Sequence, residues 1–400
     1  MTSVFLAAVV AVACDVREFG AVGNGVVDDA PAINRALAVQ TRPLVVRIPK
    51  GVYLIGDTLK VGSRTSIEAD AGARLVMSGA WKKKEGDFLL ANADPVNGNE
   101  SISIIGGIWD GNAHDGHNVK HHDLFAKGVW SGATINFRKV KGLSLSGMEM
   151  ANSVTFNVRM CEIDGFDIRD MAFSARKLGW NQDGLHFNGF CRNGRIENIR
   201  AVTKGQTNDD LLAFNADDSL DRFENFGMVC GPIENISVRG VFAEDCHIAI
   251  RLLSVTSTIS KISIRDVQVG CRCYAINADA ARYCRTPLFK DEDRPGGVGM
   301  LSDITMDGFR FYSTRQLELP LFCIETNVRN VRFSGLSRDM SRDAAPKRPF
   351  LRVNKTAGMD VMLDGETVNV PCGALFSRAQ TPTTMELEPR LADSGCSTTR

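Results

Sequence analysis

Two short segments carry residues that can move protons. Asn181-Gln182-Asp183-Gly184-Leu185-His186-Phe187-Asn188 and Asn208-Asp209-Asp210-Leu211-Leu212-Ala213-Phe214-Asn215 align at a constant offset of 27 residues. If that offset is one turn of a coiled chain, Asp183 stacks beside Asp210 at about 4.8 Å, the spacing of neighbouring strands, and Asp209 falls beside Gln182. Leu185, Phe187, Leu212 and Phe214 then point inward and His186 outward. A third stretch, Asp245-Cys246-His247-Ile248-Ala249-Ile250-Arg251, fits the next turn with Ile248 and Ile250 on Leu212 and Phe214. That register puts Cys246 beside Asp210 and Asp245 beside Asp209, and it turns His247 and Arg251 outward. Clustered carboxylates repel, which raises the pKa of at least one. A protonated and an ionised carboxyl side by side form the acid/base pair of glycoside hydrolysis. Arg251 is suited to a substrate carboxylate.

Taken singly, each of these Asp and Asn residues reads rather as a turn former or as part of a capped Asn ladder. Three Asp in two successive turns at matched offsets favour function. Other clusters favour structure. Asp28–Asp29 precede Ala30-Pro31 and read as a helix cap. His114, His117, His121 and His122, with Asp115 and Asp123, lie in a Gly- and Asn-rich loop whose spacing matches no metal motif. Asp217, Asp218 and Asp221 read as a turn rather than a calcium site. Trp109, Trp130 and Trp180 are candidate stacking platforms for sugar rings; Trp180 is the strongest, because Asn181 follows it directly.

A solenoid is the element that would bring such segments together. An apolar–x–apolar pattern recurs at Ile102, Leu143, Phe166, Ile199, Ile236, Ile262, Ile304 and Val331. Period two means strands with one buried face. No amphipathic helix separates them, so they stack on their equivalents one turn away instead of forming βαβ units. Asp28 to Leu37, with Ile33, Ala36 and Leu37 at helical spacing, supplies an N-terminal capping helix. The expected fold is all-β, a single-stranded right-handed parallel β-helix over 15–342. A possible signal segment at 1–14 precedes it, and a C-terminal arm and disordered tail follow over 343–400. A β-sandwich would need hairpin signals in register, which the chain lacks.

Lys+Arg and Asp+Glu are both 47, so the formal net charge is zero, which argues against a nucleic-acid partner. The apolar run from Val4 to Ala13 reads as an export signal, with cleavage after Ala13 and lipid attachment at Cys14 as the lesser alternative. It is too short to span a bilayer. The expected location is secreted or periplasmic. Eleven cysteines show no scaffold spacing and read mostly as core fillers, with one or two disulfides open.

At these residues the chain resembles the polygalacturonases of glycoside hydrolase family 28 and their pectate-lyase-like superfamily. Phe19-Gly20-Ala21-Val22-Gly23-Asn24-Gly25-Val26-Val27-Asp28-Asp29 resembles the superfamily's N-terminal motif. Ile48-Pro49-Lys50-Gly51-Val52-Tyr53 followed by Leu59 is similar to its first turn, and Gly107-Ile108-Trp109-Asp110-Gly111 to its Gly-x-Ile-Asp-Gly segment. Asn181-Gln182-Asp183-Gly184 and Asp209-Asp210 resemble the catalytic motifs. The resemblance implies inverting hydrolysis without metal or cofactor, with Asp210 as general acid and Asp183 and Asp209 activating water. Asn181, Trp180, His186, His247, Arg251 and Asp245 are the expected substrate-binding residues, and a poly- or oligosaccharide is the partner. Cys246-His247-Ile248 stands where the family has Gly-His-Gly, with the histidine one residue off in the register above, and no Arg-x-Lys clamp follows. The alternatives are a polysaccharide lyase on the same fold and a non-catalytic carbohydrate-binding β-helix.

Overall fold

The computed structural model describes residues 11–114, 128–217, 229–280 and 298–353, and beyond them the strands Met359–Leu363, Glu366–Val368, Leu375–Phe376 and Thr383–Pro389. The chain coils so that each turn lays a strand on each of three faces, and successive turns pair in parallel. The site face runs through Leu59–Val61, Leu90–Asn92, Leu185–Phe187, Asp210–Asn215, Phe322–Ile324 and Leu351–Val353. The ladder face begins at Val12–Asp15, which pairs with Leu44–Ile48, and the third face begins at Asn24–Asp28, which pairs with Gly51–Ile55. Longer strands bend across corners. Val158–Ser174, for example, pairs on the site face with Leu185, on the ladder face with Ile196 and on the third face with Ile199.

Alternation explains why the residues fold this way. In Thr65–Met77 every second residue is buried except at the corner between faces, the mark of strands wetted on one side only. Ile102, Leu143, Ile236, Ile262, Ile304 and Val331 lie in the core of the ladder face. Each fully buried aliphatic side chain contributes about 1.5–3 kcal/mol of transfer free energy. One expected member is displaced: Ile199 belongs to the third face, opposite Val241, and the ladder-face equivalent of Phe166 is Gly194. A side chain at Gly194 would meet the Phe166 ring at 1.9 Å, so the large residue of one turn occupies the place of the next and hides the repeat.

The N-terminal end is closed by the helix Ala30–Leu37, whose Ile33, Ala36 and Leu37 are buried. The two acids before it divide the work. Asp28 accepts from the N–H groups of Ala30 and Gly56, at 3.0 and 2.9 Å. Asp29 accepts from Val22 and Gly23, at 2.6 and 3.0 Å, and ties down the glycine-rich loop. Cys14 lies in the strand Val12–Asp15, opposite Val46, with its side chain in the core.

At the other end Thr383–Pro389 pairs antiparallel with Val328–Arg338 and buries Met385. Seven of the eight described cysteines are buried and all eight are free thiols, as expected of core fillers. No helix among the described residues is long and apolar enough to cross a membrane.

Candidate active site

The offset of 27 residues is one turn. Leu185 pairs with Leu212, His186 with Ala213 and Phe187 with Phe214. Inside, the Phe187 and Phe214 rings stack at 5.3 Å with an 8° interplanar angle. At the strand entrances the Gly184 N–H donates to the Asp210 carbonyl at 2.8 Å. A side chain on Gly184 would meet the Leu211 carbonyl at 2.4 Å, so glycine is required where the two turns touch. This contact sets Asp183 beside Asp210, and carboxylate oxygens of Asp183, Asp209 and Asp210 all lie within 4.8 Å of one another.

The three acids sit in different surroundings. Asp210 is buried, and neither of its oxygens has a hydrogen-bond partner among the described residues. Burial, then the charges of Asp209 and Asp183, push its pKa well above the usual carboxylate range, against the opposing pull of Arg251 and His247. Asp183 is equally buried, and its Oδ2 lies 2.6 Å from His186 Nδ1. Asp209 is the most open of the trio and lies 3.4 Å from His247 Nδ1. Burial works against a charged His247, but hydrogen bonds to Asp209 and Cys273 outweigh it and raise the pKa to about 10. An imidazolium therefore stands beside Asp209 at neutral pH. A divalent cation could also use three carboxylates at this spacing, but it needs them ionised, and the burial of Asp210 works the other way.

Around the trio the structure corrects several expectations. The third turn is slipped by two residues: Asp210 pairs with Ile248, Leu212 with Ile250 and Phe214 with Leu252. A slip of two preserves the alternation, so Ile248/Ile250 and Ile250/Leu252 are equally good apolar pairs, and pattern alone cannot choose between them. The slip brings His247 to Asp209, so Cys246 does not stand in the histidine's place. Cys246 is instead buried opposite Cys271. Asp245 leaves the cluster and binds Arg272 at 3.4 Å and the Thr314 hydroxyl.

His186 faces outward in the row but is sealed at 2% exposure, between Asp183 and the Asn188 amide at 3.2 Å. It therefore supports Asp183 and is not open to substrate. Arg251 is bound by Asp279 and lies 3.6 Å from Asp210, so it is not an open clamp. Asn181 occupies a left-handed turn, φ 51°, and Trp180 before it is 68% exposed. Trp109 is fully buried, and Trp130 is buried with its Nε1 donating to the Asp87 carbonyl, so neither is a platform.

Sequence reasoning missed Asp279 and Arg272. Asp279 lies opposite Leu253, one turn beyond the stretch that was aligned. Arg272 donates to the Asp245 carbonyl and the Asn208 side chain, both at 2.6 Å, and Asn208 in turn donates to the Gly179 carbonyl at 2.8 Å. That chain braces the loops carrying Asp183 and Asp209. Asp217 accepts from the backbone of Val255, Thr256 and Ser257, a loop anchor as expected of a turn residue. His117, His121, His122, Asp115, Asp123, Asp218 and Asp221 lie outside the described residues.

Residues 13–108 match the family model described as rhamnogalacturonase A/epimerase, pectate lyase-like. Among solved structures, a family 28 exopolygalacturonase of Yersinia enterocolitica superposes with a TM-score of 0.54 at 16% identity, over 86% of this chain and 74% of that one. An endo-xylogalacturonan hydrolase of Aspergillus tubingensis gives 0.51 at 15% identity, over 86% and 95%. The fold is a right-handed parallel β-helix. Its resemblance to polygalacturonases extends to sequence: a probable polygalacturonase of Arabidopsis thaliana is 24% identical over 304 residues, 71% of this chain and 62% of that protein. A LysM effector of Penicillium expansum is 42% identical over 67 residues, 16% of this chain and 5% of its own length. The chain thus spans less than two thirds of each of these curated relatives.

Proposed function

We propose that the protein is a glycoside hydrolase of the polygalacturonase-like type, acting outside the cytoplasm on an acidic, pectin-like poly- or oligosaccharide. The observation that carries this reading is the carboxylate trio with its division of labour. Asp210, buried and protonated, donates to the leaving glycosidic oxygen. Asp183 and Asp209 hold a water and take its proton. His186 fixes Asp183 through Nδ1, and the His247 imidazolium places a positive charge beside Asp209. Trp180, exposed on the loop that delivers Asp183, supplies a stacking surface. The polygalacturonase and xylogalacturonan hydrolase names among the similar proteins support an acidic galacturonate backbone.

Inversion follows from the resemblance. Retention through a glycosyl-enzyme is the second reading, because one oxygen from each acid of the trio lies within 4.8 Å of the others and retaining pairs are the more closely set ones. The anomeric form of the first product separates the two. Incubation with a panel of pectic and neutral polysaccharides should release new reducing ends from a galacturonate-containing member, unaffected by chelator. Products absorbing near about 235 nm would reassign the protein to a lyase, whose β-elimination leaves a double bond. Glycan binding without any bond cleavage would leave only a carbohydrate-binding β-helix.

A further inference from the structure

We propose that Asp279 is a positioning residue that holds the Arg251 guanidinium back from Asp210 and so leaves Asp210 free to act as a proton donor. This rests on the reading of Asp210 as the acid. Arg251 stands between two buried carboxylates and treats them unequally. Its Nη2 donates to Asp279 Oδ2 at 2.5 Å, whereas its Nη1 is 3.6 Å from Asp210 Oδ2, beyond hydrogen-bond length. Asp210 and Asp279 are 1% and 4% exposed, so water does little to screen the competition.

The backbone fixes which acid wins. Arg251 lies in the outward row opposite Ala213 and Asn277, and Asp279 follows two residues after Asn277 on the neighbouring turn. The Asp279 carbonyl accepts from the Ser254 N–H at 3.1 Å, which anchors that acid's main chain to the strand end after Arg251. The guanidinium is therefore tethered on the side away from Asp210.

Among the described residues, the other charged and titratable groups around Asp210 are Asp183 and His186 on the preceding turn, Asp209 on its own turn and His247 on the following one. Asp183 and Asp209 favour the proton on Asp210, and His247 and Arg251 oppose it. Of these, Arg251 has the long, jointed side chain whose distance can change without moving a strand. Were it to close on Asp210, a charge-assisted bond would form and the acid would ionise.

Removing the charge of Asp279 acts in one direction by two routes. It frees Arg251 to swing to Asp210, and it removes a nearby negative charge. Asp279→Asn and Asp279→Ser should therefore move the alkaline limb of the kcat/KM profile down by about one pH unit, with the plateau below it retained. Asp279→Glu should keep the limb within a few tenths of a unit.

Infrared titration of the protonated carboxyl band, assigned by its loss in Asp210→Asn, should show the same downward midpoint shift and needs no substrate. If that midpoint falls while no glycan is cleaved, the hydrolase reading fails and the role of Asp279 stands. A limb and midpoint that stay put or rise in both variants would overturn the proposal. So would a wild-type protein with no Asp210-dependent protonated band at neutral pH, a measurement that does not require either variant to fold.

Discussion

The site face and the ladder face are made by the same strands in the same coil, yet they handle charge in opposite ways. On the ladder face Arg64, Glu100, Lys141, Asp164, Arg192 and Glu234 alternate in sign from turn to turn, with partners such as Arg192 and Asp164 at 2.9 Å and largely open to water. On the site face Asp183, Asp210, Arg251 and Asp279 are withdrawn from water, and two acids adjoin where the other face would have alternated in sign. Exposed pairs of the first kind contribute little each. Buried groups of the second kind cost folding free energy and persist where chemistry uses them. The regular face holds the coil together, and the irregular one spends part of that stability.

The largest effect that would break this contrast is at Asp210. Asp210→Asn should reduce kcat by about a thousandfold or more, because it removes the acid and leaves the binding surface. Its stability should not fall. A carboxyl whose pKa is raised in the folded state contributes fully only below its unfolded value near 4, and that contribution is lost as pH rises. At neutral pH the amide avoids the loss, so the variant's thermal midpoint should equal or exceed the wild-type value. A variant that keeps wild-type turnover, or melts well below it, removes Asp210 from the proposed role.

Next in size is the ladder-face core. Ile304 is fully buried between Ile262 and Val331. Ile304→Ala should cost about 2–5 kcal/mol in urea unfolding, with kcat per folded molecule unchanged. A large loss of kcat at full stability would show that the two faces are not separable.

The smallest effect belongs to the exposed ladder. Arg192→Ala should shift the urea midpoint slightly at low salt, and the shift should vanish at about 1 M salt, where the Debye length is only about 3 Å. A salt-independent loss would mean that the ladder is packed rather than screened.

The same contrast decides what was legible in the sequence. The β-helix could be read because one apolar side chain per alternate position leaves a trace at every turn, and the pairing of Leu185 with Leu212 follows from a shared offset. The capping helix was equally plain from Ile33, Ala36 and Leu37. The carboxylate trio was visible for the same reason as the core, since Asp183 and Asp210 precede those leucines by the same number of residues. What escaped was register across the bulged turn near Cys246, where a period of two permits any even slip. That slip displaced His247, Asp245 and Cys246 together. Burial escaped as well: His186 occupies an outward position but is covered, and outward parity does not measure solvent access.

The close passage at Gly184 has a last consequence. Main chain touches main chain there, so the gap between the two neighbouring acids is gauged by peptide groups and not by any side chain that drift could resize. Loops elsewhere around the coil can lengthen or shorten while that gauge stays put.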